Sequence, residues 1–228
     1  MPTQTPSTPP VASAAAPPDR RSLLDELREL AQTSPVLARA QGWDYLRALG
    51  AARHHEQLEA LFERGWAPEG PDGAMEGLIV GPLFGVPEAQ LANPLMKINP
   101  TWRGKTFDKA TGTGFNRLAM ISRLAMPFIA PGYRGLRTQQ GERVGFHFNH
   151  AIDTGLVEPK VQVRALDYGV PEYRNPSVRT FPIKRTRDEI VELIPGLYLG
   201  RALLTMHDGE IRKIAWFALR EFTNETSR

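Results

Sequence analysis

The sequence predicts a mainly β fold, an antiparallel up-and-down barrel of about eight strands with helices at its N-terminus. Three observations lead there. Short apolar stretches punctuated by Gly, Pro, Asn and Asp recur from residue 68 onward. Two of the late connections, "IPGLY" and "MHDGE", are short enough to make the last three strands a meander, with Asp208 and Gly209 suited to the positive-φ positions of a tight hairpin turn. In the last strand both parities are apolar: Ile211, Ala215, Phe217 and Leu219 on one, Ile214, Trp216, Ala218 and Phe222 on the other. One face then lines an interior and the other lies beneath helices.

Taken in order, residues 1–18 read as a disordered Pro/Ala-rich tail. The stretch lacks the basic and continuous apolar regions of a secretory signal. Residues 19–67 form a helical segment that packs on the barrel. Asp19 or Ser22 caps a first helix in which Leu23, Leu24, Leu27 and Leu30 recur at helical spacing, and Pro35 ends it. A second helix runs roughly from Val36 to Leu49, and a third passes through "HHEQLEALFERG" to a stop at Gly65. Residues 68–222 form the barrel, and 223–228 a second tail. Its strands are a bent, glycine-flanked one near Leu78, then Trp102 to Phe107, Gly114 to Ile121, Arg143 to His150, Val161 to Tyr168, Arg187 to Ile194, Leu197 to Met206 and Ile211 to Phe222. Between the first two, "PEAQLANPLMKIN" suits a short helix that lids the barrel, with Pro87 in its first turn and Pro94 limiting it.

A chain of 228 residues can bury one sizeable core, and 41% hydrophobic with 23% charged residues is ordinary for a globular protein. The formal charge is +3, unevenly spread: residues 1–100 carry 8 Lys/Arg against 12 Asp/Glu, and residues 101–228 carry 20 against 13. That excess suits an anionic ligand or polyanion, but the cations are scattered singly and lack interleaved stacking aromatics, so nucleic acid is not an expected partner. Without cysteine there is no disulfide, thiolate nucleophile or cysteine metal site, and a reducing, cytoplasmic setting fits. No stretch approaches the ~20 apolar residues of a membrane span. Phosphate-loop, dinucleotide and nucleophile-elbow signatures are absent; "GTG" at 112–114 has neither the spacing nor the crossover helix of a dinucleotide site.

The elements "LEALFERGWAPE", "GLIVG", "WRGKTFD", "GFNR", "LDYGVPEYRNP", "RDEIVELIPGLYLGRALL" and "WFALR" together resemble a group of largely uncharacterised bacterial proteins similar in pattern to the GXWXG lipocalin-like proteins. The likeness spans roughly residues 58–220 and departs from the pattern at its name-giving element, where "GLIVG" has no tryptophan. It implies a calycin-like barrel and supplies no catalytic residues.

Candidate site residues follow from alternation. Trp102 can close one barrel end while Lys105, on the opposite parity, pairs with an anionic group; alternatively Gly104 permits close packing and Trp102 plugs the core. Asp167 shares a parity with Val161, Val163 and Ala165, and Glu189 with Val191 and Leu193, so both acids are expected to face inward. If they converge in a dry cavity, desolvation raises at least one pKa, which suits a general acid or base; otherwise they pair with Arg117, Arg164, Arg187 or Arg201. His147 and Asn149 share one face, Asn116 and Arg117 suit a polar contact at a barrel mouth, and Tyr168, Tyr198 and Trp216 complete the expected ligand-binding set. His147 and His150 point to opposite strand faces, and His54 and His55 diverge on a helix, so no metal is expected, nor any cofactor.

The leading function is then the binding of a small, mainly hydrophobic molecule inside the barrel. An alternative is an isomerase, cyclase or hydratase using Asp167 or Glu189 as acid or base. A further one is an interaction protein with a filled barrel.

Overall fold

The computed structural model describes residues 22–85, 101–178 and 182–222. The expected tails and the lid helix at 87–99 lie outside or largely outside these residues. Nine antiparallel strands are present: β1 (Gly73–Ile79), β2 (Trp102–Asp108), β3 (Thr113–Leu118), β4 (Arg137–Gln139), β5 (Glu142–Thr154), β6 (Gln162–Asp167), β7 (Thr186–Ile194), β8 (Leu197–Thr205) and β9 (Ile211–Glu221). The ladder runs β3-β2-β1-β9-β8-β7-β6-β5, and β5 pairs back onto β3, so eight strands close into a ring. The short β4 is a flap on the start of β5, joined to it by Gln140 and Gly141, both at positive φ.

Three helices cover one side of the barrel. Helix α1 (Leu23–Thr33) starts where the Ser22 hydroxyl accepts a hydrogen bond from the Asp25 amide, and it buries Leu24 and Leu27. Helix α2 (Pro35–Ala52) has Pro35 in its first turn, where no intrahelical amide is needed, and ends at Arg53 in the left-handed region. Its buried face includes Trp43, Leu46, Leu49 and Gly50. At Gly50 a Cβ would stand 2.5 Å from the backbone nitrogen of Gly81, so glycine lets the helix touch the end of β1. Helix α3 (His55–Glu63) adds Leu58, Leu61 and Phe62.

Two cores result. The outer one joins the helices to Val163, Val191, Leu193, Leu199, Trp216 and Ala218. The inner one, inside the ring, contains Met75, Phe107, Phe148, Leu166, Tyr168, Ile190, Tyr198, Phe217 and Leu219. The two apolar parities of β9 are thus divided between them, Phe217 and Leu219 inward, Trp216 and Ala218 towards the helices. Strand β3 stops at Leu118, short of the expected Ile121, and the chain turns into a fourth helix, α4 (Ser122–Ile129).

Candidate functional site

The two ends of the barrel are built differently. At one end the strands are joined by residues 109–112, 155–161 and the pair Pro195–Gly196. The segment after α3 closes that end: Trp66 pairs with Glu192, continuing the ladder past the limit of β6, and the Arg164 guanidinium grips the carbonyls of Pro68 (2.8 Å) and Glu69 (2.7 Å). At the other end lie the described residues 80–85, 119–136, 168–178 and 182–185 and the turn 206–210, which frame a mouth. Trp102, Ile79, Met126, Tyr133, Leu136 and Ile183 are only partly buried there and rest on the inner core.

Within the ring, polar side chains converge on Lys105. Its ammonium donates to Asn116 Oδ1 (2.9 Å) and Tyr168 Oη (2.5 Å) and lies 2.8 Å from Asp188 Oδ2. Tyr168 in turn donates to Asp188 (2.8 Å), and the Asn116 amide donates to Tyr168 Oη and to the Phe146 carbonyl. Rings of Trp102, Phe148, Tyr168 and Phe217 surround the ammonium with centroids at 5.2–5.5 Å, within cation–π range. Lys105 is 2% exposed and Asp188 5%, so each charge depends on the other. Burial pushes the Lys105 pKa down, against the pull of Asp188, while burial and the Asp188 charge push the Tyr168 hydroxyl well up.

A bulge produces this convergence. Trp102 and Lys105 belong to opposite parities in a regular strand, yet both reach Asn116 Oδ1, the indole Nε1 at 2.9 Å. The register of β2 on β3 slips between Trp102 and Gly104, and Gly104 has φ 131°. A Cβ there would stand 2.1 Å from the Met75 carbonyl oxygen, so only glycine fits. Pairing of β1 with β2 also ends at Glu76 and Gly104. Beyond that point a cavity of about 440 Å³ opens between the end of α2 and the rim, with Leu78, Ile79, Leu83 and Trp102 as apolar lining and Arg47, Arg53 and Arg103 as cations.

Several expected site residues lie elsewhere. Asp167 is exposed and accepts from the Gly169 amide; the inward parity of β6 carries Arg164 and Leu166. Glu189 faces the outer core. It accepts from Arg201 (2.9 and 2.6 Å), Arg187 (3.1 Å) and the Leu156 amide (2.8 Å), with Arg201 also bound to Glu158 and stacked on Phe62. The inward facing expected of both acids is therefore corrected: helices cover the outer wall, so its residues are as apolar as the interior and alternation alone could not tell the faces apart. Trp216 belongs to the same outer core, edge-on to Phe62. His147 packs between Phe115 and Tyr173, and exposed Asn149 accepts from the Tyr173 hydroxyl, so both leave the interior. Arg117 holds Glu142 with two hydrogen bonds and crosses to the Met75 carbonyl. Trp102, Lys105, Asn116, Tyr168 and Tyr198 do face the inner core or its polar cluster.

Asp188 and His150 are missing from the expected set. The inward carboxylate had a signal, since it shares its parity with Ile190, but Val191 and Leu193 drew attention to the wrong neighbour. His150 sits at the closed end, its Nδ1 accepting from Arg164 (3.0 Å), and burial followed by the Arg164 charge pushes its pKa down. Among the described residues no group of three or more His, Asp or Glu is placed to hold a metal ion.

No family model and no curated protein matches the chain. Among solved structures it is similar to bovine odorant-binding protein complexed with its natural ligand, at 11% identity and TM-score 0.29 over 67% of this chain and 73% of that one. A complex of bovine odorant-binding protein with undecanal gives 11% identity and TM-score 0.29 over 67% and 72%.

Proposed function

We propose that the barrel binds a small, mainly hydrophobic molecule admitted at the mouth. The observation that supports this reading is a cavity of about 440 Å³ at the barrel rim, between the end of α2 and Trp102 and outside the inner core, within the range of small-molecule sites. Leu78, Ile79, Leu83 and the indole face supply apolar contact, and the indole nitrogen ties that wall to Asn116 and so to Lys105. The polar cluster of Lys105, Asn116 and Tyr168 backs that wall from inside the ring, with Tyr198 deeper in the barrel. In the same reading the chain is a bacterial calycin-like protein, similar in pattern to the GXWXG proteins but without their name-giving tryptophan, works in the cytoplasm, and needs no nucleic acid or cofactor.

The polar cluster favours binding over turnover. All three ammonium protons of Lys105 have acceptors, and Tyr168 both donates and accepts, so the network is satisfied as it stands. A second reading, proton transfer, draws on one observation: Asp188 places a carboxylate inside the ring beside a tyrosine and a lysine. It would use Asp188 rather than Asp167 or Glu189.

The test is native mass spectrometry of protein purified from its own host, followed by extraction of what it carries. A carrier releases the same lipophile it was given, and an enzyme releases an altered one. Trp102→Phe should lower affinity for the extracted compound severalfold. Equal affinity in that variant, or protein that takes up no lipophile, would refute the reading.

A further inference from the structure

Helix α4 and the turn before it expose apolar side chains beside the barrel mouth. The helix's barrel-facing side presents buried Ser122 and partly buried Met126 to the rim of the inner core. In the turn before the helix Met120 and Ile121, and in its first turn Leu124, are 42%, 44% and 68% exposed. Large apolar side chains exposed together beside a barrel mouth mark a contact surface.

The surrounding charge identifies the contact. From residue 119 to 141 the sequence holds Arg123, Arg134 and Arg137 and no Asp or Glu. All three arginines are exposed, and Lys184 on the neighbouring connection is exposed as well. Apolar side chains flanked by cations are the pattern of a helix that lies in the interface of an anionic bilayer.

We propose that the mouth docks on an anionic lipid surface, with Met120, Ile121 and Leu124 entering the headgroup region and Arg123, Arg134 and Arg137 lying against lipid phosphates. This goes beyond ligand binding, though its use as a loading position rests on that reading. No helix among the described residues is long and apolar enough to cross a membrane.

Flotation of the full chain with vesicles tests it. Vesicles of phosphatidylcholine mixed with phosphatidylglycerol should carry the protein, and vesicles of phosphatidylcholine alone should not. Added salt should weaken the association. Leu124→Asp should abolish it, and Arg134→Glu and Arg137→Glu should each lower partitioning roughly fivefold or more, given the usual gain per cation at an anionic surface. These positions are exposed, so the variants should keep wild-type melting curves. Failure to float with anionic vesicles, equal flotation with neutral ones, or undiminished flotation of Leu124→Asp would overturn the proposal. Lipophile binding in solution should be unchanged in all three variants; its absence alongside intact flotation would refute the binding reading and leave the docking surface standing.

Discussion

Replacing Lys105 by methionine isolates the energetics of the polar cluster. The side chain is 2% exposed, and its ammonium meets Asp188 at 2.8 Å, Tyr168 at 2.5 Å and Asn116 at 2.9 Å. Methionine keeps the packing of the stem against the surrounding rings but leaves the Asp188 carboxylate buried with Tyr168 as its described donor. Breaking a buried pair in this way costs about 3–5 kcal/mol. For a chain of this length, a loss of about 4 kcal/mol lowers Tm by roughly 8–16 °C. Asp188→Asn in the same chain removes the stranded charge and retains an acceptor for the Tyr168 hydroxyl, so the double variant should recover about 2 kcal/mol. Urea denaturation of the wild type, both single variants and the double variant closes the cycle. Additivity within about 0.5 kcal/mol would show that ammonium and carboxylate do not depend on one another, and the account of the inner site would fail.

Glu189→Ala should cost about 3–5 kcal/mol by stripping Arg201 of its fully buried partner, whereas Asp167→Asn should stay within about 0.5 kcal/mol; chemical denaturation compares them. Gly104→Ala should destabilise the fold by about 3 kcal/mol or more and alter the near-ultraviolet signal of Trp102, because the new methyl group meets the Met75 carbonyl. Tyr168 should resist deprotonation in an alkaline absorbance titration until the protein unfolds, since burial and Asp188 hold its hydroxyl above the ordinary value of 10.0. His150 has a folded pKa below its ordinary 6.5, so the unfolded chain binds more protons and stability falls as the solution is acidified from 6.5 towards the folded value. Melts of His150→Gln should show less of that acid dependence.

The fold class was legible because turn chemistry and connection length constrain strand pairing directly. The turns at Asp208–Gly209 and Pro195–Gly196 sit where the sequence places them, although of Asp208 and Gly209 only the glycine takes positive φ, and the ring has eight members. The site was less legible, for two reasons. A bulge at Gly104 puts Trp102 and Lys105 on one side, which strict alternation forbids, and the bulge shows itself only in the three-dimensional demand for a positive φ. Helices over β7, β8 and β9 make both faces of those strands apolar, so Glu189 lies in the outer core where an inward side chain was expected, and Asp188 faces inward instead. Helix α4 escaped notice because Pro127 interrupts a short pattern.

The links 109–112, 155–161 and Pro195–Gly196 gather at one pole with the Arg164 clasp, so much of the strand pairing is set there. The connection at 119–136 carries little of it. Natural drift or a designed library can lengthen or exchange that stretch without renegotiating the pairing of the ring. Changing what the protein captures, and where it comes to rest, need not mean changing how it folds.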